Sequence, residues 1–432
     1  MKLSQAASAA PAWKNWSGWQ SCQPQRRFSP QSEAQLLSFI SESSGTIRTV
    51  GSGHSFSGLV PTDDNLISVH QLAGLRRHNA ENLTATFGAG TRFADVGKPL
   101  QDIGQGLFNM ADIDRQTIAG AISTSTHGTG RTLGSYSSYI EELKLATAKG
   151  ELLTCNRTSD EQLFRAACAS LGALGILTEV TLQNRPAYRL KETIYPDQTM
   201  AVLEQAEELR QKHRHFEMFP MVNADVAIVQ LIDETTEPLT PLAGTDEEDD
   251  ETLQMLQKYG GMFPALRRWI LNTVVGGMDK AELVGESWQI LANTRNMRFN
   301  EMEYQVPAEH GPDCLRDILA TIRAENIDIV FPLEYRYIKA DDLMLSMFAG
   351  RDACSISVHH FAEYDYRPYF ALIEPIFHKY GGRPHWGKLH TLTAKQLAPL
   401  YPEWDNFLEI RERLDPDRRF INPYLQSLFG LG

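Results

Sequence analysis

No CxxC pair occurs in this chain, and its five cysteines (Cys22, Cys155, Cys168, Cys314 and Cys354) are scattered and odd in number. Neither a zinc knot nor a disulfide framework is supported, and a reducing, cytoplasmic compartment is the expected home. No stretch approaches the roughly 18 apolar residues that a spanning helix needs. The segment Met1 to Trp19 has no continuous apolar run and is not expected to be a signal peptide. Positive charge is not in excess: 41 Lys and Arg against 54 Asp and Glu leave a net charge of -13. A nucleic-acid partner is therefore not expected, since such proteins carry a basic stripe.

Several cofactor and catalytic motifs are missing too. A dinucleotide-binding GxGxxG is absent, because Gly51 and Gly53 are followed by Phe56, and Gly88 and Gly90 by Phe93. No P-loop, GxSxG elbow or HExxH is present. His359 and His360 are adjacent, so on a strand they point to opposite faces. No metal site is expected. There are no internal repeats, and the only biased tract is the acidic run Asp246 to Glu251, which reads as a solvated loop.

What is present is a soluble globular composition, 42% apolar and 22% charged, over 432 residues. That length predicts two or three domains. Trp13 to Phe28 reads as an aromatic-rich segment lying on a domain surface. A helix is expected at Ser32 to Ser41, with Leu36, Leu37 and Ile40 as its apolar face. Strands are expected at Thr46 to Val50, Asn65 to Val69 and Thr84 to Phe87, and a helix at Phe93 to Gln101. After Arg185-Pro186, helix-like Met200 to Lys212 alternates with strand-like Asp225 to Ile232, Met302 to Val306 and Ile327 to Phe331. Phe263 to Val275 is amphipathic, and its Trp269 is expected in a core. The fold class is α+β, divided into residues 1–185, 186–380 and 381–432.

Three glycine-punctuated segments stand out. Thr49 to Ser57 reads Thr-Val-Gly-Ser-Gly-His-Ser-Phe-Ser. Glycine has no Cβ, so another group can approach the backbone there, and a row of free N–H groups among small hydroxyls suits an anion. A plain strand-to-loop turn with an incidental His54 satisfies the same nine residues. Arg115 to Gly130 has almost no bulky residues, whereas a core strand prefers Val and Ile; a flat ligand can lie against such a backbone. Leu171 to Thr181 is the third segment. Each alone fits a turn or bulge, but three in one half of the chain favour one large shared ligand.

Together four motifs resemble a known family: Gly51-Ser-Gly-His-Ser-Phe-Ser, the run ending Thr126-His-Gly-Thr-Gly130, the Leu-Gly-Ile-Leu-Thr-Glu-Val segment at 174–180, and His385-Trp-Gly-Lys388. They are similar, in order and spacing and over nearly the whole chain, to the sugar-lactone and alditol oxidoreductases of the vanillyl-alcohol-oxidase flavoprotein superfamily, such as the gulonolactone and arabinonolactone oxidases. The resemblance implies a PCMH-type two-subdomain FAD-binding domain and a cap domain whose mixed or antiparallel sheet is flanked by helices. It implies that Val50, Gly51, Ser52, Gly53, His54 and Ser55 hold the FAD pyrophosphate, with His54 joined covalently to the flavin. Gly120, Ala121, Ser125, Thr126, His127, Gly128 and Gly130 would line the ring and phosphates, Ile176 would meet the adenine end, and His385 would touch the flavin.

The same resemblance assigns Glu334, Arg336 and Lys388 to catalysis; one of His359 and His360 would project into the same pocket, His359 being the favoured one, with a packed core histidine as the other reading. Glu334 and Arg336 stand at i, i+2 and so share one strand face, and such a buried pair is costly without a partner or ligand; a surface ion pair is the other reading. The implied reaction is hydride transfer from a CH–OH of a small, neutral sugar lactone, with oxygen or another acceptor reoxidising the flavin. Alditol oxidases carry a serine where this chain has Ala121, which favours a lactone over an open-chain polyol. A flavoenzyme for aromatic alcohols would need an apolar cap pocket, and a cofactor-free sugar-binding module would need no flavin.

Overall fold

The computed structural model describes residues 11–241, 254–258, 263–292 and 297–432; the acidic run Asp246 to Glu251 lies outside them. Near the N-terminus the Ser32 side chain accepts from the Gln35 N–H and starts the helix Glu33–Glu42, which buries Leu36 and Ile40. It lies by two sheets. One has three parallel strands, with Asn65–Ser68 between Arg26–Phe28 and Ile47–Val50. The other has five antiparallel strands in the order Leu152–Asn156, Ile140–Ala146, Ile176–Gln183, Thr84–Gly88 and Leu75–Asn79. The first glycine loop leaves the edge strand Ile47–Val50.

The second half is built on an eight-stranded sheet, antiparallel throughout. Its order is Ala281–Glu286, Arg189–Gln198, Val226–Thr235, His215–Pro220, Glu334–Ile338, Ala353–Phe361, Phe299–Pro307 and Arg383–Pro384. The central strands alternate strictly. On one face, the row Met218, Tyr335, Ile356, Tyr304 runs across four strands. The helix Gly311–Ala324 starts so close to that face that a Cβ on Gly311 would meet Cys354 Sγ at 2.5 Å. The opposite face carries Glu217, Arg336, Ser355 and Gln305 in one row, and Glu334, Ser357 and Glu303 in the next. Polar residues at every second position, buried all the same, mark this face as the site.

The last fifty residues add the edge strand Arg383–Pro384 and then return to the first sheets. Ile47 N donates to Arg419 O at 2.7 Å, and the buried Arg48 guanidinium donates to Leu59 O, Leu171 O, Gly172 O and Phe420 O. Among the described residues, no helix is long and apolar enough to cross a membrane. The five cysteines are all free.

The structure departs from the expectations in five places. Ile327 to Phe331 is not a strand: Asn223 Nδ2 binds Ile327 O and Ile329 O, and Gln257 binds Asp328 O and Val330 N, so side chains do the work of a neighbouring strand. Phe93 to Gln101 breaks into a 3-10 turn, Phe93–Asp95, and a helix, Gly97–Asp102. Arg115 to Gly130 contains a short helix, Ile118–Ser123, capped by Thr117. Trp269 is 63% exposed on the helix Pro264–Gly276, because the inward face is taken by Leu271 and by Arg267 paired with Asp328. The N-terminal aromatic segment does not simply coat a surface: Trp13 is buried and the Trp16 ring stacks on His54, with centroids 5.2 Å apart.

Candidate active site

A cavity of about 1010 Å3, open to solvent, lies where the three glycine segments meet. Val50, Gly51, Ser52, Gly53, His54 and Ser55 form one wall; Gly120, Ala121 and Thr126 form another; Gly172, Gly175 and Ile176 close a third. Among the described residues, the N–H groups of Ser52, Gly53, His54 and Ser55 donate to no oxygen of the chain. Successive unpaired amides beside a cavity are an anion nest. The backbone is also tight: a Cβ on Gly51 would lie 2.2 Å from Thr117 Oγ1, and Gly53 and Gly172 sit at φ +72° and +67°. These walls suit a long ligand with a central diphosphate, as FAD is.

A second cavity, about 910 Å3, lies between this wall and the polar face of the eight-stranded sheet. Glu301, Glu303, Glu334, Arg336, His359 and Lys388 line it. Gln116, Thr126, His385 and Lys388 line both cavities, so the two spaces share a wall. Gln116 Oε1 is buried there with no partner among the described residues, an acceptor free for a ligand. The loop carrying His385 and Lys388 is held from both sides. His385 N and Leu389 N donate to Glu303 O and Glu301 O, Phe56 N donates to Gly387 O, and Ser57 Oγ donates to Trp386 O.

The charges in this second cavity form one network. Arg336 Nη2 lies 2.8 Å from Glu334 Oε2 and 3.5 Å from Glu303 Oε2. Glu303 Oε1 also meets His127 Nε2 at 2.7 Å and accepts from Ser355 Oγ and Gln305 Nε2. Lys388 pairs with Glu301, and His359 Nε2 lies 3.5 Å from the same carboxylate. Burial would raise Glu301, but Lys388 and His359 hold it down at about 2. Burial would likewise raise Glu303, but His385, His127 and Arg336 hold it well below the usual carboxylate range. Burial would lower Arg336, yet the Glu334 and Glu303 carboxylates carry it above the ordinary guanidinium value. The result is a fixed cation and fixed anions facing a common space. Two groups, His127–Glu303–His385 and Glu301–Glu334–His359, have the spacing of metal ligands; Arg336 and Lys388 already balance their carboxylates.

His54 differs from these groups. Burial, followed by the Lys388, Arg115 and Arg92 cations, pushes its imidazole down to about 4. At neutral pH the ring is therefore uncharged, with a nitrogen lone pair available for bonding. Burial similarly pushes His385 down to about 3.

The residues singled out in the sequence fall into three places. Val50 through Ser55, Gly120, Ala121, Thr126, Ile176 and His385 line the first cavity. Glu334, Arg336, His359 and Lys388 line the second, as does His127. Ser125, Gly128 and Gly130 line neither. Ser125 is buried at φ +51°. A Cβ on Gly128 would strike Met110 O at 2.0 Å, so this glycine packs within the first half, while Gly130 N donates to Tyr337 O and packs the wall against the second half. His360 turns away from the cavity and stacks on Tyr364. Sequence reasoning missed Glu217, Glu301, Glu303 and Gln305. The signal for three of them was there: Glu301, Glu303 and Gln305 alternate with Met302 and Tyr304, the pattern of a strand with one polar, buried face.

Comparison with known proteins agrees with this geometry. A family profile described as D-arabinono-1,4-lactone oxidase matches residues 180–428, and one described as an FAD binding domain matches residues 24–156. The chain is 35% identical to an L-gulono-1,4-lactone dehydrogenase of Mycobacterium tuberculosis, across 98% of this chain and the whole of that protein. It is 29% identical to the L-gulonolactone oxidase of Bos taurus, over 96% of this chain and 98% of the relative. A cholesterol oxidase from Brevibacterium sterolicum superposes with a TM-score of 0.82 at 16% identity, covering 97% of this chain and 96% of the other, which shows a shared fold. With a nest for a diphosphate, a polar cavity beyond it and matches along its whole length, the chain belongs to the D-arabinono-1,4-lactone oxidase family of FAD-dependent oxidoreductases.

Proposed function

We propose that this protein oxidises a ring CH–OH of an aldono-1,4-lactone, with gulono- and arabinono-1,4-lactone as the first substrates to try. The observation that carries the reading is the wall shared by the two cavities at Gln116, Thr126, His385 and Lys388. It brings a cofactor-shaped space into contact with a polar one holding Glu334 and Arg336. When bound, FAD supplies the hydride acceptor, N5 of its isoalloxazine ring. The chain's own residues do the rest. Arg336 and Lys388 stabilise the negative charge that develops on the substrate oxygen. A Glu334 oxygen orients the substrate hydroxyl and takes its proton. His359, held between Phe331 and Phe299 and bonded to Pro332 O, sets one edge of the sugar site.

The neutral, half-buried His54 is proposed as the point of covalent attachment, and oxygen or another acceptor as the second substrate. The division at 185/186 and 380/381 is proposed as the domain plan. Ala121, which brings no hydroxyl to the cavity wall, supports a lactone over an open-chain polyol. Steady-state turnover of gulono-, arabinono- and galactonolactone and xylitol, under oxygen and then under an artificial dye, tests the reading. A lactone is expected to give the highest kcat/KM. Xylitol as the best substrate would replace the lactone with a polyol, and colourless protein without turnover would end the reading.

A further inference from the structure

Glu217 belongs to none of the sequence motifs, yet it stands directly opposite Arg336 in the sheet register. Three carboxyls surround that one guanidinium, and they are not equivalent. Glu334 lies 2.8 Å from Nη2 and Glu303 3.5 Å from it. Glu217 Oε1 is 3.8 Å from Arg336 Nε, too far for a hydrogen bond, and both atoms are buried without partners. Glu303 has further donors in Ser355 and Gln305; Glu217 has none of these. Glu334 and Arg336 line the substrate cavity and Glu217 does not, so it lies behind them.

We infer that Glu217 is a positioning residue: it stands as a neutral carboxylic acid whose O–H donates to the Glu334 carboxylate and fixes that carboxylate at the cavity wall. A third anion beside one buried cation would be uncompensated, and a buried charge without a partner is expensive. The groups around Glu217 agree. On its neighbouring strands are Gln230, which is neutral, and Arg336 with Glu334; Glu303 stands two strands further on, and Asp112 faces it from the first half of the chain. Burial, followed by the Glu334 charge, pushes the Glu217 carboxyl well above the usual range. A carboxylic acid donates one O–H, and toward a carboxylate that bond is charge-assisted and short.

The inference rests on the proposed role of Glu334 and Arg336, and its test separates the two. Glutamine at 217 keeps the shape and a donor; leucine keeps the bulk and loses the donor. Rapid-mixing measurements of flavin reduction by gulonolactone should leave Glu217→Gln within about 3-fold of the parent and slow Glu217→Leu by about 10- to 100-fold, the loss expected for a charge-assisted hydrogen bond. Equal slowing of both variants, or of neither, overturns the inference. If Glu334→Gln and Arg336→Ala also reduce flavin at the parent rate, the pocket reading itself has failed, which is a different result. An infrared readout is independent of turnover. The parent protein at neutral pH should show a protonated-carboxyl C=O band that disappears in Glu217→Gln, and its absence from the parent overturns the inference even if Glu217→Leu does not fold.

Discussion

His54 is the residue whose surroundings carry the most chemistry. It hangs from the glycine loop, lies under the Trp16 ring and is held neutral by burial. In His54→Ala the flavin should leave with the supernatant after acid precipitation, while the folded protein keeps its melting transition; coloured precipitate from the variant would refute the attachment. Glu334→Gln and Arg336→Ala should each slow flavin reduction by about 100-fold or more, the scale of losing a group that stabilises developing charge, with rapid-mixing absorbance as the check. At this scale the sequence was informative where parity decides. Adjacency alone put His359 and His360 on opposite faces, and the structure has one in the cavity and one stacked on Tyr364. It was silent about Glu217, because an isolated glutamate on a strand looks the same whether its neighbour is solvent or an arginine 119 residues away.

The elements around the site depend on small contacts. The helix Ile118–Ser123 is only six residues long and begins with the Thr117 hydroxyl accepting from Gly120 N at 3.2 Å. Thr117→Ala should cost about 1 kcal/mol in denaturant unfolding. Gly51→Ala, whose new Cβ has no room beside that hydroxyl, should bind FAD more weakly in a titration of the apoprotein. The strand His215–Pro220 begins with a buried imidazole that burial pushes to about 3. Its unfolded value is near 6.5, so below pH 6.5 the unfolded chain takes up a proton that the folded chain refuses. The stability of the parent relative to His215→Gln should therefore fall as pH drops from 6.5, by about 1.4 kcal/mol per unit, and level off near pH 3. A flat difference across that range would show that the imidazole is not buried. Strands with clean alternation were legible in the sequence; the loop at Ile327 to Phe331 was not, since its apolar run is served by Asn223 and Gln257 from elsewhere in the chain.

Across the whole molecule, the two halves are joined by buried polar contacts. Arg48 ties residues 59, 171, 172 and 420 together at the rim of the first cavity. Arg48→Met would leave the carbonyls of Leu171, Gly172 and Phe420 without a donor, Leu59 O keeping Asn422 Nδ2, and denaturant unfolding should lose at least about 3 kcal/mol. Glu303 does the same between the halves by holding His127 on one and Arg336 on the other. The architecture was legible because four motifs lie in order along the chain; the register that gathers four glutamates on one face is set by pairing over long separations and leaves no local mark.

Gln116, Thr126, His385 and Lys388 each look onto both cavities. A side chain with two outlooks cannot be altered for one occupant alone. Substitutions there should change how firmly the redox group is seated and how fast the sugar turns over in the same step. Tuning of substrate preference has more freedom on the far side of the second cavity, at Phe219, Phe331 and Pro332, where only one occupant is in reach.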